Sequence, residues 1–434
     1  MHDLLNVPAD PARPARRSVL KGSAALAAAS IAAPLAALSA RQALAQSAMA
    51  PMDSPYGPIA PVNDLTTGLP LLQLPPGFQY QSFGWTGDPM TNGQPTPGAH
   101  DGMAVVRTRF TGRGAETVLV RNHELGAGTL IGAKAKFDTN TVLFNGQMTN
   151  SAGGTTNLLF RKGQWVSTTP SLGGTLVNCA GGPTPWSTWL TCEETGTDLT
   201  PLGGKKHGYV FEVAADAERT SGKPIVEMGR FSHEAAAVDP KTGIVYLTED
   251  DRNKAGFYRY LPHDRSRRLG ALERGGRLQA ARVKDKPNTD LLTAVIGDSY
   301  ELEWVDIANP DADRGPFNAP DAASTTASGP FLQAWASGAL LMSRGEGIWN
   351  KKGSMYIVDT STGVDSTGRR GRGEGAVWEL DIKKQPLTCL FASTSAVQGN
   401  NPDNITLYPR GKPLMFLCED GGGVEDDFGL GERL

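Results

Sequence analysis

Five times this chain drives an apolar, strand-like run straight into Glu, Asp or Asn: VLVRNHE (118–124), WLTCEET (189–195), GIVYLTEDD (243–251), MYIVDTS (355–361) and MFLCEDG (415–421). Short apolar runs bounded by turn signals read as buried strands. Like charges at the ends of such strands repel one another, so their recurrence needs a shared cause. The acids after the strands fall at Glu194, Asp250, Asp359 and Glu419, in steps of 56, 109 and 60 residues, the middle step being close to twice the others. A turn often precedes the strand (VDPKTG, WNKKG, YPRGK). After a loop, a second apolar and aromatic strand pattern follows: HGYVFEV (207–213), AGFYRYL (255–261) and GAVWELDI (375–382). A β-unit repeating every ~40–60 residues is the signature of a β-propeller.

In a propeller the innermost strands stand side by side around one channel. Equivalent strand ends then converge on one mouth, where bound cations offset the repulsion among acids far apart in sequence. The 52 glycines and 30 prolines favour short strands and turns. Helical patterns are scarce, DLLTAVIGD (290–298) and the alanine-rich 279–283 region being the candidates, so the expected fold class is all-β with a few short helices. A formal net charge of -3 offers no basic surface for nucleic acid.

The N-terminal stretch has a different character. Arg16, Arg17 and Lys21 precede an alanine-rich apolar run that closes on Ala43–Ala45, which reads as a twin-arginine export signal over 1–45 and not as a membrane span. Residues 46–76 read as a proline-rich irregular arm, and 77–434 as the propeller. Within it, 264–340 reads as one weak blade plus a surface insertion. The chain stops soon after its last strand end, so a closed ring would lack part of its last blade. The expected location is periplasmic or extracellular, the translocase being a partner during export. The mature protein is expected to be a monomer without a membrane span.

Hard oxygen donors dominate the candidate ligands: Asn122, Glu124, Asn157, Glu193, Glu194, Glu234, Glu249, Asp250, Glu346, Asp359, Asp403, Asn404 and Glu419. They suit calcium, magnesium or ferric iron. Histidine is sparse, and only His123 and His233 lie in motifs, each directly before a Glu. Arg121 and Arg344 stand within three residues of a candidate ligand, as oxyanion-binding groups or as ion-pair partners of the acids. Cys192 and Cys418 sit just before acids on strands and read as core-facing. Cys179, in GTLVNCAGGPTPW, reads as lying in a glycine-rich loop, where a metal ligand and a buried thiol are equally open. Four cysteines in an exported chain also allow two disulfides. No phosphate-cradling GxxxxGKS loop, GxSxG elbow or HExxH pair is present.

The segments YGPIAPVNDLTTGLPLLQLPPGF, RNHE, GGTTNLL, LVNCAGGPTPWSTWLTCEET, SHEAAAVDPKTGIVYLTEDD, RGEGIW and NPDNI…CEDG together resemble the PhoX family of secreted alkaline phosphatases, in order over nearly all of 55–430. The resemblance implies a six-bladed propeller, exported by the twin-arginine route. It also implies a buried cluster of two ferric ions bridged by oxide, with three calcium ions, acting on phosphate esters. By the same resemblance Cys179, Glu194, Glu234 and Glu346 would be iron ligands and Arg344 the phosphate-facing arginine. Calcium ligands would come from Asn122, Glu124, Asn157, Asp250, Asp403 and Glu419, and the catalytic set would be Arg344, Glu346 and Glu234. Two other classes stay open on the residues alone: a calcium-dependent lactonase-like or phytase-like propeller, and a non-enzymatic calcium-binding propeller.

Overall fold

A computed structural model of the chain describes residues 56–421, apart from 113, 145, 320–323, 397 and 409–414. Five antiparallel hairpins repeat a single pattern. Their inner and second strands are His100–Thr111 with Gly114–His123, Asn178–Pro183 with Thr188–Glu193, His233–Val238 with Val245–Glu249, Gly345–Lys351 with Ser354–Asp359, and Pro402–Leu407 with Met415–Glu419. We number these blades one to five. The inner strands are neighbours in that order, each packing against the next around a common axis, which is the β-propeller expected.

Blades stack face to face, so a middle strand is covered on both sides and reads as a continuous apolar run. Every residue of Val245–Glu249 is buried for this reason. The aromatic patterns expected to follow each strand end form third strands at Val210–Ala214, Phe257–Pro262 and Ala376–Asp381. They supply Phe257 and Trp378 to the core between blades three and four, alongside Tyr246 and Ile357. At the axis the inner strands come so close that only small residues fit. A Cβ on Gly182 would lie 1.7 Å from the Ala236 carbonyl oxygen of the next blade, and one on Gly347 2.8 Å from the Ile405 nitrogen.

The structure departs from the sequence reading at several places. The 264–340 stretch is not a weak blade. Gly276–Val283 is the fourth strand of blade three, and Ser299–Asp306 pairs on one side with it and on the other with Pro386–Ala392 of blade four. One nine-stranded sheet thus joins the two blades, which is why the step between their acids is doubled. The alanine-rich 279–283 region is strand and 290–298 carries no helix. The α-helix among the described residues is Gly329–Ala336, started by Ser328, whose Oγ accepts from the Phe331 N–H, with proline in the first turn. In the arm, Ala60–Val62 pairs with Leu72–Leu74, so this segment is not wholly irregular.

All four cysteines are free thiols; Cys192 is buried as expected, while Cys418 is exposed. The export signal over 1–45 lies outside the described residues, and no helix among the described residues is long and apolar enough to cross a membrane. The fifth inner strand does not pack on the first as the others pack on their neighbours. Strand alternation turns the exposed Met103 and Val105 of blade one and Phe416 of blade five toward that junction.

Candidate metal centre

Each hairpin opens at its axial mouth with a bulge. His100 pairs with His123, Asn178 with Glu193, His233 with Glu249, Gly345 with Asp359 and Pro402 with Glu419, and the ladder then skips to Met103, Gly181, Ala236, Ile348 and Ile405. A bulge re-aims the side chain of its extra residue. In chain order the first bulged residues are Asp101, Cys179, Glu234, Glu346 and Asp403. The residues just after the second strands are Glu124, Glu194, Asp250, Thr360 and Asp420. In every blade the N–H of this latter residue donates to the carbonyl before the bulge: Ala99, Val177, Ser232, Arg344 and Asn401, at 2.8–3.1 Å. Five copies of one backbone device therefore place ten residues at one mouth, and nine of these carry a carboxylate or a thiol.

The last strand residue, by contrast, turns back into its own blade. Glu193 accepts from the N–H groups of Leu176, Gly208 and Tyr209 and faces His207 Nδ1 at 2.6 Å. Glu249 accepts from Gly256 N–H, Tyr258 Oη and Ser328 Oγ. Asp359 accepts from Ser343 and Arg344. These three acids tie the outgoing loops to the blade. Glu419 occupies the same register position, with its carboxylate near Gly399, and Asp420 takes the mouth position after it. His123 sits between the Gly98 carbonyl and Thr156 Oγ1, and His233 against the Gly229 carbonyl.

Of the residues singled out by sequence, the structure brings together Cys179, Glu194, Glu234, Glu346, Glu124, Asp250, Asp403 and Arg344. Ligand atoms of Glu124, Cys179 and Glu194 lie within 4.8 Å of one another, as do those of Glu234, Glu346 and Asp403. Cys179 Sγ is 3.5 Å from Glu234 Oε1 and 3.6 Å from Asp101 Oδ1. Its residue is on a bulged strand, not in a loop. Asn122 and Asn157 do not join the group. The Asn122 amide donates to the carbonyls of Cys179 and Ala180 and accepts from Trp189 Nε1 and Thr191 Oγ1, which fills its capacity. Asn157 donates to the Ala214 and Ala215 carbonyls of the next blade.

Asp101 and Asp420 were missed. Asp101 had a readable signal: AHDG, VNCA, SHEA and RGEG each set a ligand-capable residue before a small one, at the second position of an inner strand.

The electrostatics favour cation binding. Glu234 and Glu346 are 1% and 4% exposed, and Glu234 Oε2 is buried with no hydrogen-bond partner. Burial, then Glu346 and Glu194, pushes the Glu234 carboxyl well above its ordinary value. Burial and Asp250 do the same to Glu346 against the pull of Arg344. Glu194 is pushed up to about 9 by burial and Asp250, and burial raises Asp101 and Asp403 to about 6. Burial, followed by Glu234 and Glu194, also raises the Cys179 thiol. Multivalent cations reverse this logic and hold such groups deprotonated. The donor set fits them: carboxylates for hard ions, with one thiolate that calcium disfavours and a transition metal accepts.

Arg344 is the basic group inside the cluster. Its Nε donates to Asp250 Oδ1 at 2.7 Å, its Nη2 donates to Asp250 Oδ2, and Nη2 stands 3.2 Å from Glu346 Oε1. This fork-to-fork pair across blades fixes the plane of the guanidinium.

Comparison with known proteins accords with this arrangement. At the level of fold, the chain resembles the solved structure of Pseudomonas fluorescens PhoX in complex with vanadate, a transition state analogue, with a TM-score of 0.51 and 16% identity over 78% of this chain and 79% of that one. A putative oxidoreductase (glucose dehydrogenase) from Thermus thermophilus is more distant, with a TM-score of 0.33 and 12% identity over 72% of this chain and 76% of that one, and carries no weight here. No curated protein sequence is significantly similar to the chain. The family model described as alkaline phosphatase PhoX matches residues 54–171 and 145–433. The chain belongs to the PhoX family of alkaline phosphatases.

Proposed function

We propose that the chain hydrolyses phosphomonoesters at the axial mouth, with cations held by Cys179, Glu194, Glu234, Glu346, Glu124, Asp250 and Asp403, joined by Asp101 and Asp420. Two ferric and three calcium ions are the proposed complement. The observation that carries this reading is the convergence of nine ligand-capable side chains from five blades around one clamped arginine. Bound cations supply Lewis-acid stabilisation of the charge that develops on the phosphoryl oxygens.

The chain's own residues orient and select the substrate. Asp250 locks the Arg344 guanidinium in plane, leaving further N–H donors to bind phosphoryl oxygens. Burial works against that cation, but the hydrogen bonds and charge of Asp250 and the charge of Glu346 outweigh it and hold Arg344 protonated. Glu234 and Glu346 are buried at the mouth, where low local dielectric strengthens the interactions they make.

Initial rates on a phosphomonoester, a phosphodiester and a lactone test the reaction class. The monoester is expected to be turned over far faster than the other two; a preference for the lactone or the diester overturns the reading. Export by the twin-arginine route to the periplasm or beyond belongs to the same proposal. N-terminal sequencing of exported protein is expected to start near Gln46, and material beginning at Met1 contradicts it.

A further inference from the structure

Asp250 is followed on blade three by Asp251, Arg252, Asn253 and Lys254, and this segment leans across to the long loop of blade four. Arg252 Nη1 donates to the Gly371 carbonyl at 3.1 Å, and Asn253 N–H donates to the Ser343 carbonyl. Gly371 has a φ of +67°, and a Cβ there would lie 2.1 Å from Asn253 Oδ1, so only glycine allows the two loops to meet. Gly371 N–H is itself held by the carbonyls of Leu292 and Gly363. The contact is therefore built, and it ties the Arg252 segment to Gly371 and Ser343, the residues that precede Arg372 and Arg344 in the chain. Asp251 is occupied elsewhere, by Arg314 at 2.7 Å and Lys254 at 3.1 Å.

Arg252 uses one of its five N–H donors on Gly371, and among the described residues it forms no ion pair. It is half-buried, and burial, then Arg344 and Arg372, oppose its charge, while Asp250 and Glu346 favour it. Arg252 follows Asp250 by two residues, and its segment is hydrogen-bonded to the residues before Arg344 and Arg372, so the mouth is uneven in charge. One side consists of carboxylates that cations would neutralise, and the other is a basic lip on which Arg252 keeps donors to offer.

We infer that Arg252 and Arg372 receive a second anionic group on the substrate, so that the preferred substrates are phosphomonoesters whose leaving group itself carries a carboxylate or a phosphate. This rests on the phosphomonoesterase reading above, with the scissile phosphoryl group at Arg344. Arg252 and Arg372 act in that case on substrate selection, through the part of the ester that departs.

The test compares kcat/KM for 4-carboxyphenyl phosphate and for a propanediol bisphosphate, each divided by that for uncharged 4-nitrophenyl phosphate, in wild-type holoenzyme and in Arg252→Gln. One charge-assisted hydrogen bond is worth about a tenfold change in preference. Both ratios are expected to fall by about that factor in the variant, and Arg252→Lys to keep most of the preference. If only one ratio falls, the lip reads that one anion. Arg372→Gln provides an independent arm should Arg252→Gln fail to fold. In the wild type, raising sodium chloride is expected to lower the ratios by screening the lip. Ratios unchanged in both variants and insensitive to salt overturn the lip while leaving the phosphatase reading intact. No phosphate release from any of the three esters by wild-type holoenzyme overturns both.

Discussion

Cys179 is the residue at which iron and calcium chemistry part. It takes the mouth position that carboxylates fill on the other bulges, at 3.5 Å from Glu234. A thiolate is a poor calcium ligand but binds ferric iron and gives visible charge-transfer colour. Cys179→Ser is expected to bleach that absorption and to reduce phosphatase turnover strongly. Cys192→Ser, in the core of the neighbouring strand, is expected to act through packing and leave the spectrum intact. A colourless, iron-free and fully active wild-type protein, with Cys179→Ser silent, would leave calcium as the working ion. The residue scale also shows where sequence reading slips. Strand-end acids were visible, but neighbouring acids have opposite fates. Glu193 and Glu249 turn inward as loop anchors while Glu194 and Asp250 face the axis, and one residue of register separates the two roles. Reading Glu419 for Asp420 is the same slip.

At the scale of elements, the blades are joined by side chains that sequence pattern marked only as polar. Asn122 sews blade one to blade two with four hydrogen bonds and also holds the backbone of Cys179. Asn122→Ala would leave two carbonyls, an indole N–H and a hydroxyl without their partner in a fully buried site. The expected loss of stability is about 3 kcal/mol, read from the denaturation midpoint. The loss should persist after cations are removed. If it vanishes in metal-free protein, Asn122 acts through a cation instead, as the family resemblance first implied. The hairpins and their third strands were legible because blade stacking demands apolar, aromatic-rich runs of a few residues. The sheet that joins blades three and four was not. Its strands Gly276–Val283 and Ser299–Asp306 carry arginines and glutamates paired across the ladder, such as Arg282 with Glu303, so an exposed outer strand read as a charged surface insertion. The helix at Gly329–Ala336 was hidden likewise, since Ser-Gly-Pro reads as a turn as readily as a helix start.

For the whole molecule, the mouth is a destabilising concentration of acids that the proposed cations would convert into a stabilising one. In metal-free protein, Asp101 and Asp403 are raised from 3.8 to about 6, and Glu194 from 4.5 to about 9. Between the ordinary and the raised values the folded protein holds more protons than the unfolded chain, so stability falls as pH rises. The melting temperature of metal-free protein is expected to decline across about pH 4 to 9, and that of the loaded protein to resist this decline. A metal-free melting temperature that climbs through this window contradicts the cluster's electrostatics. The central claim is that this mouth is a metal-dependent phosphomonoesterase site. Its most direct test is phosphate release from 4-nitrophenyl phosphate before and after exhaustive chelation, with iron and calcium determined on the same samples. Both metals are expected in the active protein, with activity lost as they leave and the melting temperature falling with it; undiminished phosphate release from protein shown to be free of both metals would contradict the claim.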